Sequence, residues 1–304
     1  MIWLFLALGA HLGNALVLIV DKSLLSGKSV VAQPLRYTFY SAVITGGVIV
    51  FLPFVSLPWS SFILGWALVA GGARIVALWL FFTALKATEA TRVVPLTGSA
   101  VALFTVIIAM GALGEIVRTQ QFLAIVLLLA GGALLSLRFG HSQPLPGSVK
   151  GLTLGAGLFF AFHFVIVKYL YDATEAFLPV FIYSRLIEAA VALIVLGPLV
   201  LRFRSSSRVV SSPKTRASFL APVIFVSNKV LAGSAFLLQH YAISLGSVAI
   251  VNALQGMQYI FLLILAAAIS YWLPGLWREE LGRVALMQKF AGILCVAAGL
   301  GLIV

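Results

Sequence analysis

Residues 62–85, FILGWALVAGGARIVALWLFFTAL, run for 24 positions with a single charged side chain, Arg74, at the middle. A helix of that length reaches across a hydrocarbon core of about 30 Å. Comparable runs recur along the whole chain, and nothing constrains the fold more. Ten spans are expected, over 2–20, 34–55, 62–85, 93–113, 119–138, 148–170, 176–200, 217–242, 248–272 and 286–304. The runs are continuous rather than alternating, which favours helices over the short strands of a membrane barrel. Composition agrees: 62% of residues are hydrophobic and only 9% charged, where a soluble domain carries roughly 25%. The mean hydropathy is +1.14. Connections this short leave no room for a soluble domain.

The net charge of +12 does not imply a nucleic-acid partner, because the basic residues sit in the connections. Those after spans 1, 3, 5, 7 and 9 hold Lys22, Lys28, Lys86, Arg92, Arg138, Lys150, Arg278 and Arg283, and the cluster Arg202, Arg204, Arg208, Lys214 and Arg216. The opposite set holds Arg118 with the acidic Glu115, Asp172 and Glu175. The positive-inside rule then puts the basic connections in the cytoplasm and both termini outside. The 202–216 cluster also suits contact with anionic lipid. The one cysteine, Cys295, lies in the last span and reads as a small core residue. The first span has no basic residue before it, and Asp21-Lys22 follow where a cleavage site would stand, so it reads as a retained helix.

The chain repeats itself. Residues 6–25, LALGAHLGNALVLIVDKSLL, align without gaps to 152–171, LTLGAGLFFAFHFVIVKYLY, sharing Gly9/Gly155 and Lys22/Lys168 among other identities. ALKATEATRVVPLTG (84–98) aligns with AISLGSVAIVNALQG (242–256), and Arg36 and Arg185 occupy comparable places in spans 2 and 7. The expected units are 1–140 and 141–304, five spans each. An odd number of spans per unit forces opposite orientations, giving the inverted repeat common in secondary transporters, whose substrate site lies between the halves. The fold expected is therefore all-α and integral to the membrane, with ten transmembrane helices as two inverted five-helix repeats.

Several stretches resemble the drug/metabolite transporter superfamily, and its EamA-like exporters in particular. PLRYTFYSAVI (34–44) is similar to that family's second helix with its early arginine. FFTALKATEATRVVPLTGSAVALFTVIIAMGALGE (81–115) resembles its junction of helices 3 and 4, ending in a Gly-Glu pair, here Gly114-Glu115. HYAISLGSVAIVNALQGMQYIFLLILAAAISYWLPGLWREELG (240–282) follows the same plan. It departs by inserting WLPGLWR before Glu279-Glu280, a longer connection with room for an amphipathic surface segment. The resemblance implies a central cavity lined by spans 1, 3, 4, 6, 8 and 9, with spans 5 and 10 at the periphery. It assigns a substrate poorly, since members carry amino acids, sugars, nucleotide sugars, phosphorylated sugars and drugs.

A charge at bilayer depth costs at least about 2.5–3.5 kcal/mol, so it marks a function or has a partner. Arg74 in span 3 and Lys229 in span 8 lie near mid-span in repeat-equivalent helices. Glu188 reads as the only carboxylate inside a span, and Arg185, three residues before it, satisfies it on one helix face. Arg74 and Lys229 are then left without a protein counter-charge, and a carboxylate or phosphate of the substrate would supply it. The competing readings are pairing with backbone carbonyls and water, or a position at a helix mouth. Further candidates for substrate contact are His11 and Asn14 in span 1, His163 in span 6, and Asn228 and Gln239 beside His240 in span 8. In span 9, Asn252, Gln255 and Tyr259 share a face at i, i+3 and i+7, with Gln258 alongside. Thr97 and Ser99 are their span 4 counterparts; Lys168 reads as snorkelling to the interface.

Nucleotide-binding, metal-ligand and hydrolase motifs are absent, so neither a catalytic centre nor a cofactor is expected. The expectation is a secondary transporter of the cell (inner) membrane, moving a small organic metabolite bearing a carboxylate or phosphate by alternating access. Anion exchange needs no titratable group, while His163 or Glu188 offers proton coupling. Rivals are an exporter of neutral or zwitterionic amino acids or drugs, and a membrane-embedded enzyme or lipid-handling protein, which a lateral lipid-facing groove in place of a central cavity would favour. Expected partners are the small-molecule substrate and the bilayer, with homodimerisation open.

Overall fold

The computed structural model describes residues 2–26, 32–55, 60–88, 90–136, 145–206, 216–272 and 283–303. Every regular element among them is helical. They are α1 (Ile2–Ser26), α2 (Pro34–Thr45) continued by a 3-10 segment (Gly46–Phe54), α3 (Ser61–Ala87), α4 (Ala90–Ala112), α5 (Thr119–Ser136) and α6 (Gly147–Thr174). After them come α7 (Phe177–Val191), a π turn (Ala192–Leu196), α8 (Gly197–Ser206), α9 (Arg216–Leu245), α10 (Val248–Ala253), α11 (Gln255–Trp272) and α12 (Arg283–Ile303). Eight helical stretches among the described residues are long and apolar enough to cross a membrane, and Thr119–Leu134 and Phe290–Leu302 form two shorter apolar helices. The protein is an all-α, multi-pass membrane protein. The WLPGLWR insertion beyond Trp272, and Arg208 and Lys214 of the 202–216 cluster, lie outside the described residues.

Local sequence explains the breaks within the expected spans. The second span loses its α-helical ladder at Gly46-Gly47 and carries Pro53 in its 3-10 part. In the seventh, Pro198 has no N–H and crowds the turn before it, and the π turn at 192–196 absorbs that misfit. The ninth is two helices meeting at Leu254. At the end of α4, Gly114 takes φ +66°, a left-handed turn that glycine adopts without strain. Glu115 follows it and caps α10, accepting from Ser247 Oγ at 2.6 Å and from the Val248 N–H at 3.2 Å. The Gly-Glu pair therefore fastens one half of the chain to the other.

Packing follows small residues. Helix α1 lies against α9 and α11, α6 against α3 and α4, and α5 against α12. A Cβ on Gly13 would come within 2.8 Å of Ala235 Cβ, and one on Gly157 within 2.4 Å of Ala100 Cβ. Helices α5 and α12 meet through Gly131 and Gly299, whose added Cβ atoms would lie 2.8 Å and 2.9 Å from the Gly292 and Ala124 carbonyls. Apolar burial drives no helix association inside lipid, so these close approaches supply the dispersion contacts that hold the bundle.

Candidate functional site: a charged cavity between the helices

A cavity of about 870 Å³ opens between the helices. Its walls come from α1, α3, α4, α6, α9 and α11, and also from α2 and α7. Much of the lining is apolar, with Phe81, Phe82, Phe160, Phe164, Phe181 and Phe236 prominent. Set into it are three cations, Arg74, Arg185 and Lys229, and the carboxylate of Asp21.

Asp21 corrects the sequence reading. It was expected just past the first span, but α1 continues to Ser26 and leaves Asp21 only 3% exposed. Its Oδ1 accepts from Tyr37 Oη at 2.6 Å, Asn228 Nδ2 at 2.6 Å and Lys229 Nζ at 2.8 Å. Lys229 therefore has a protein counter-charge, and Glu188 is not the only buried carboxylate. The ammonium also lies 4.5 Å from the centre of the Tyr37 ring, which itself meets Phe82 and Phe225 edge-on. This cluster ties α1, α2 and α9 together near the end of the bundle where α1 finishes and α2 begins, the basic-connection end. Lys22, next in sequence, donates to the Leu85 and Thr88 carbonyls at 2.8 and 2.7 Å, closing the end of α3.

Arg74 has a partner as well. Its Nη1 donates to Glu188 Oε1, while Arg185 Nη1 stands 2.5 Å from Glu188 Oε2. One fully buried carboxylate thus bridges two guanidinium groups from α3 and α7. Both cations lie over the Phe236 ring of α9, at 4.3 Å for Arg74 and 4.7 Å for Arg185. Gly71 makes the bridge reachable, since a Cβ there would sit 3.2 Å from the Glu188 Cα. Arg74 and Lys229 consequently belong to separate clusters on one cavity, not to a single facing pair of free cations. Three cations against two carboxylates leave one positive charge in excess, on the Arg74–Glu188–Arg185 side.

The remaining candidates divide. Asn14, Gln239 and Gln255 line the cavity, as does Gln258. Asn14 Nδ2 donates to Gln239 Oε1 at 3.3 Å, Gln239 Nε2 to Asn252 Oδ1 at 3.1 Å, and Asn252 Nδ2 to Thr105 Oγ1 at 3.3 Å. That chain carries the polar lining back into the core, where Asn252 is fully buried and does not reach the cavity. Tyr259 is also behind the wall: it wedges between Gly98 of α4 and Gly132 of α5, and its Oη donates to the Pro95 carbonyl at 3.4 Å. Gln255 and Gln258 stand on α11, beyond the break at Leu254, and line the cavity, while Asn252 stands before it on α10. His11 is buried against the Val251 carbonyl at 3.1 Å, and Asn228 is taken up by Asp21 and the Val17 carbonyl. His163 contacts the Ala70 carbonyl at 3.0 Å and His240 at 3.4 Å, and His240 meets Tyr171 Oη at 2.8 Å. These histidines form a packed polar core behind Arg185 and do not line the cavity.

The sequence reading missed Asp21, Tyr37 and Phe236 as parts of the site, and Arg185 as a lining residue. One signal pointed to Asp21: a mid-span lysine needs a carboxylate, and Asp21 directly adjoins the first span. No group of three or more metal-ligating side chains occurs among the described residues. No protein-family profile and no curated protein matches the chain. Among solved structures, one crystal structure aligns over 97% of this chain and 96% of its own, with a TM-score of 0.64 and 18% identity. That likeness concerns the fold alone and extends over nearly the entire chain.

Proposed function

We propose that the protein is a secondary transporter, built as two inverted five-helix halves in the manner of the drug/metabolite superfamily, that moves a small anionic metabolite across the cytoplasmic membrane. The carrying observation is that both charged clusters cross between the halves: Asp21 of the first pairs with Lys229 of the second, and Arg74 of the first with Glu188 of the second. Ion pairs so placed break and re-form as two halves rock, which is what alternating access requires. Packing supports the repeat. Exchanging the halves carries the α3–α6 contact onto α9–α1 and maps α5–α12 onto itself. The repeat-equivalent Gly9 and Gly155 face the repeat-equivalent Leu238 and Leu80, at 3.7 and 3.2 Å from an added Cβ.

The excess positive charge beside Phe236 supports an anionic substrate. An entering carboxylate or phosphate competes with Glu188 for two guanidinium forks, so binding loosens the very bridge that joins α3 to α7. Asn14, Gln239, Gln255 and Gln258 then orient the uncharged part. The test is thermal stabilisation of the purified protein by metabolites sorted by charge, because a ligand of the folded state raises stability with occupancy. Carboxylates and phosphates should stabilise, and Arg74→Gln should remove the effect. Stabilisation by neutral or cationic compounds, indifferent to Arg74→Gln, would overturn the anion reading in favour of a neutral-metabolite exporter.

A further inference from the structure

The cavity has a side opening. Val230 and Leu237 line it from the middle of α9 while being 62% and 38% exposed, and Phe51 lines it from the 3-10 segment while 55% exposed. Gly47 and Val48 continue one lip, Gly233 and Ser234 the other, and Leu178 of α7 closes the corner. Helix α2 meets α9 at the basic-connection end, through Tyr37, Phe225 and Lys229. Beyond that point the lips part. The residues at the opening sit on segments apolar enough to span a bilayer, so the opening faces acyl chains over much of one leaflet.

The repeat explains why this seam stands apart where its counterpart stays closed. Exchange of the halves turns the α3–α7 seam into the α9–α2 seam. Carrying over the alignments of 84–98 with 242–256 and of Arg36 with Arg185, Arg74 corresponds to Ala232 and Glu188 to Phe39. The salt bridge that latches α3 to α7 therefore has no counterpart between α9 and α2. Helix α7 approaches α3 closely at Gly71, whereas nothing lies within 4 Å of a Cβ added to Gly47 or Gly233 on the open lips.

We propose that the substrate is an anionic amphiphile that enters or leaves sideways between α2 and α9, its carboxylate or phosphate head at Arg74 and Arg185 and its apolar chain lying in the opening. This rests on the anion-transport reading and names its substrate class. The head would sit by the surplus positive charge, and the phenylalanine-lined wall would hold the first carbons of the chain. The chain end would remain in lipid, so a long tail fits without enlarging the cavity.

The test uses the full-length protein in a neutral detergent and measures thermal stabilisation by inorganic phosphate and by butyl, hexyl and octyl phosphate below their micelle-forming concentrations. Alkyl carboxylates of the same lengths run alongside, with octyl glucoside as the neutral control. The expected result is an apparent Kd that falls about fourfold per added methylene. Arg74→Gln should weaken every length. Ser234→Trp, and independently Gly47→Trp on the opposite lip, should flatten the chain-length slope. Equal affinity for octyl and inorganic phosphate overturns the sideways route while leaving the anion site standing. So does a slope untouched by both lip variants, or stabilisation by octyl glucoside equal to that by octyl phosphate, which would mark general partition. Stabilisation by no anion of any length overturns the anion reading along with it.

Discussion

Glu188 is the residue on which the charged side of the cavity turns. It has no exposed side-chain surface and faces two guanidinium groups. Removing it would leave Arg74 and Arg185 packed on one phenylalanine ring with no carboxylate between them. Taking one member from a buried ionic group costs about 3–5 kcal/mol. Glu188→Gln is expected to lose stability on that scale in a denaturation series. Arg74→Gln should lose less, because Glu188 keeps Arg185 at i−3; equal losses would mean the bridge is not shared. Residue by residue, the sequence located the cations and hid their partners. Arg74 and Lys229 were conspicuous because local pattern reveals a charge inside an apolar run. Their counter-charges come from 114 and 208 positions away along the chain, and no periodicity reports such pairs. Asp21 was harder still, since an Asp-Lys pair after an apolar run normally marks an interface.

Hydropathy made spans legible, eight of the ten expected being long and apolar enough to cross among the described residues; interruptions were not legible, because backbone hydrogen bonding sets those. Gly46-Gly47, Pro198 and the Leu254 break leave the hydropathy of spans 2, 7 and 9 intact while changing which side chains reach the cavity. The expected face of Asn252, Gln255 and Tyr259 presumed one straight helix; the break puts Asn252 on α10, and within α11 Gln255 lines the cavity while Tyr259, one turn on, packs between α4 and α5. Helix contacts made through glycine are the exposed point of such a bundle. Gly131→Val should push α12 off α5, since Val296 Cγ2 lies 2.6 Å from the added Cβ. A loss of about 1–3 kcal/mol is expected from such overpacking. Gly65→Ala, where nothing lies within 4 Å, should be neutral or up to about 1 kcal/mol stabilising. A stability scan of both variants checks the contrast, and equal behaviour would mean that α5 and α12 do not meet as described.

For the whole molecule, the two clusters stand at different depths of one cavity. Asp21, Tyr37 and Lys229 close it toward the basic-connection end, while Arg74, Glu188 and Arg185 lie nearer its middle. If those connections face the cytoplasm, a reporter that works only there should be silent at the C-terminus. A strong signal would reverse the orientation drawn from loop charge. An alternating-access protein must expose the same lining residue to both sides, though never as an open pore. Cys295 is the sole cysteine, so Asn14→Cys in a Cys295→Ser background places one thiol on the cavity wall at a half-buried position. The decisive measurement is labelling of that thiol by a membrane-impermeant reagent, supplied to one face at a time of oriented, ion-tight proteoliposomes. Labelling from either face, slowed by an anion that stabilises the protein, is the predicted result. Labelling from one face only would contradict transport between two inverted halves.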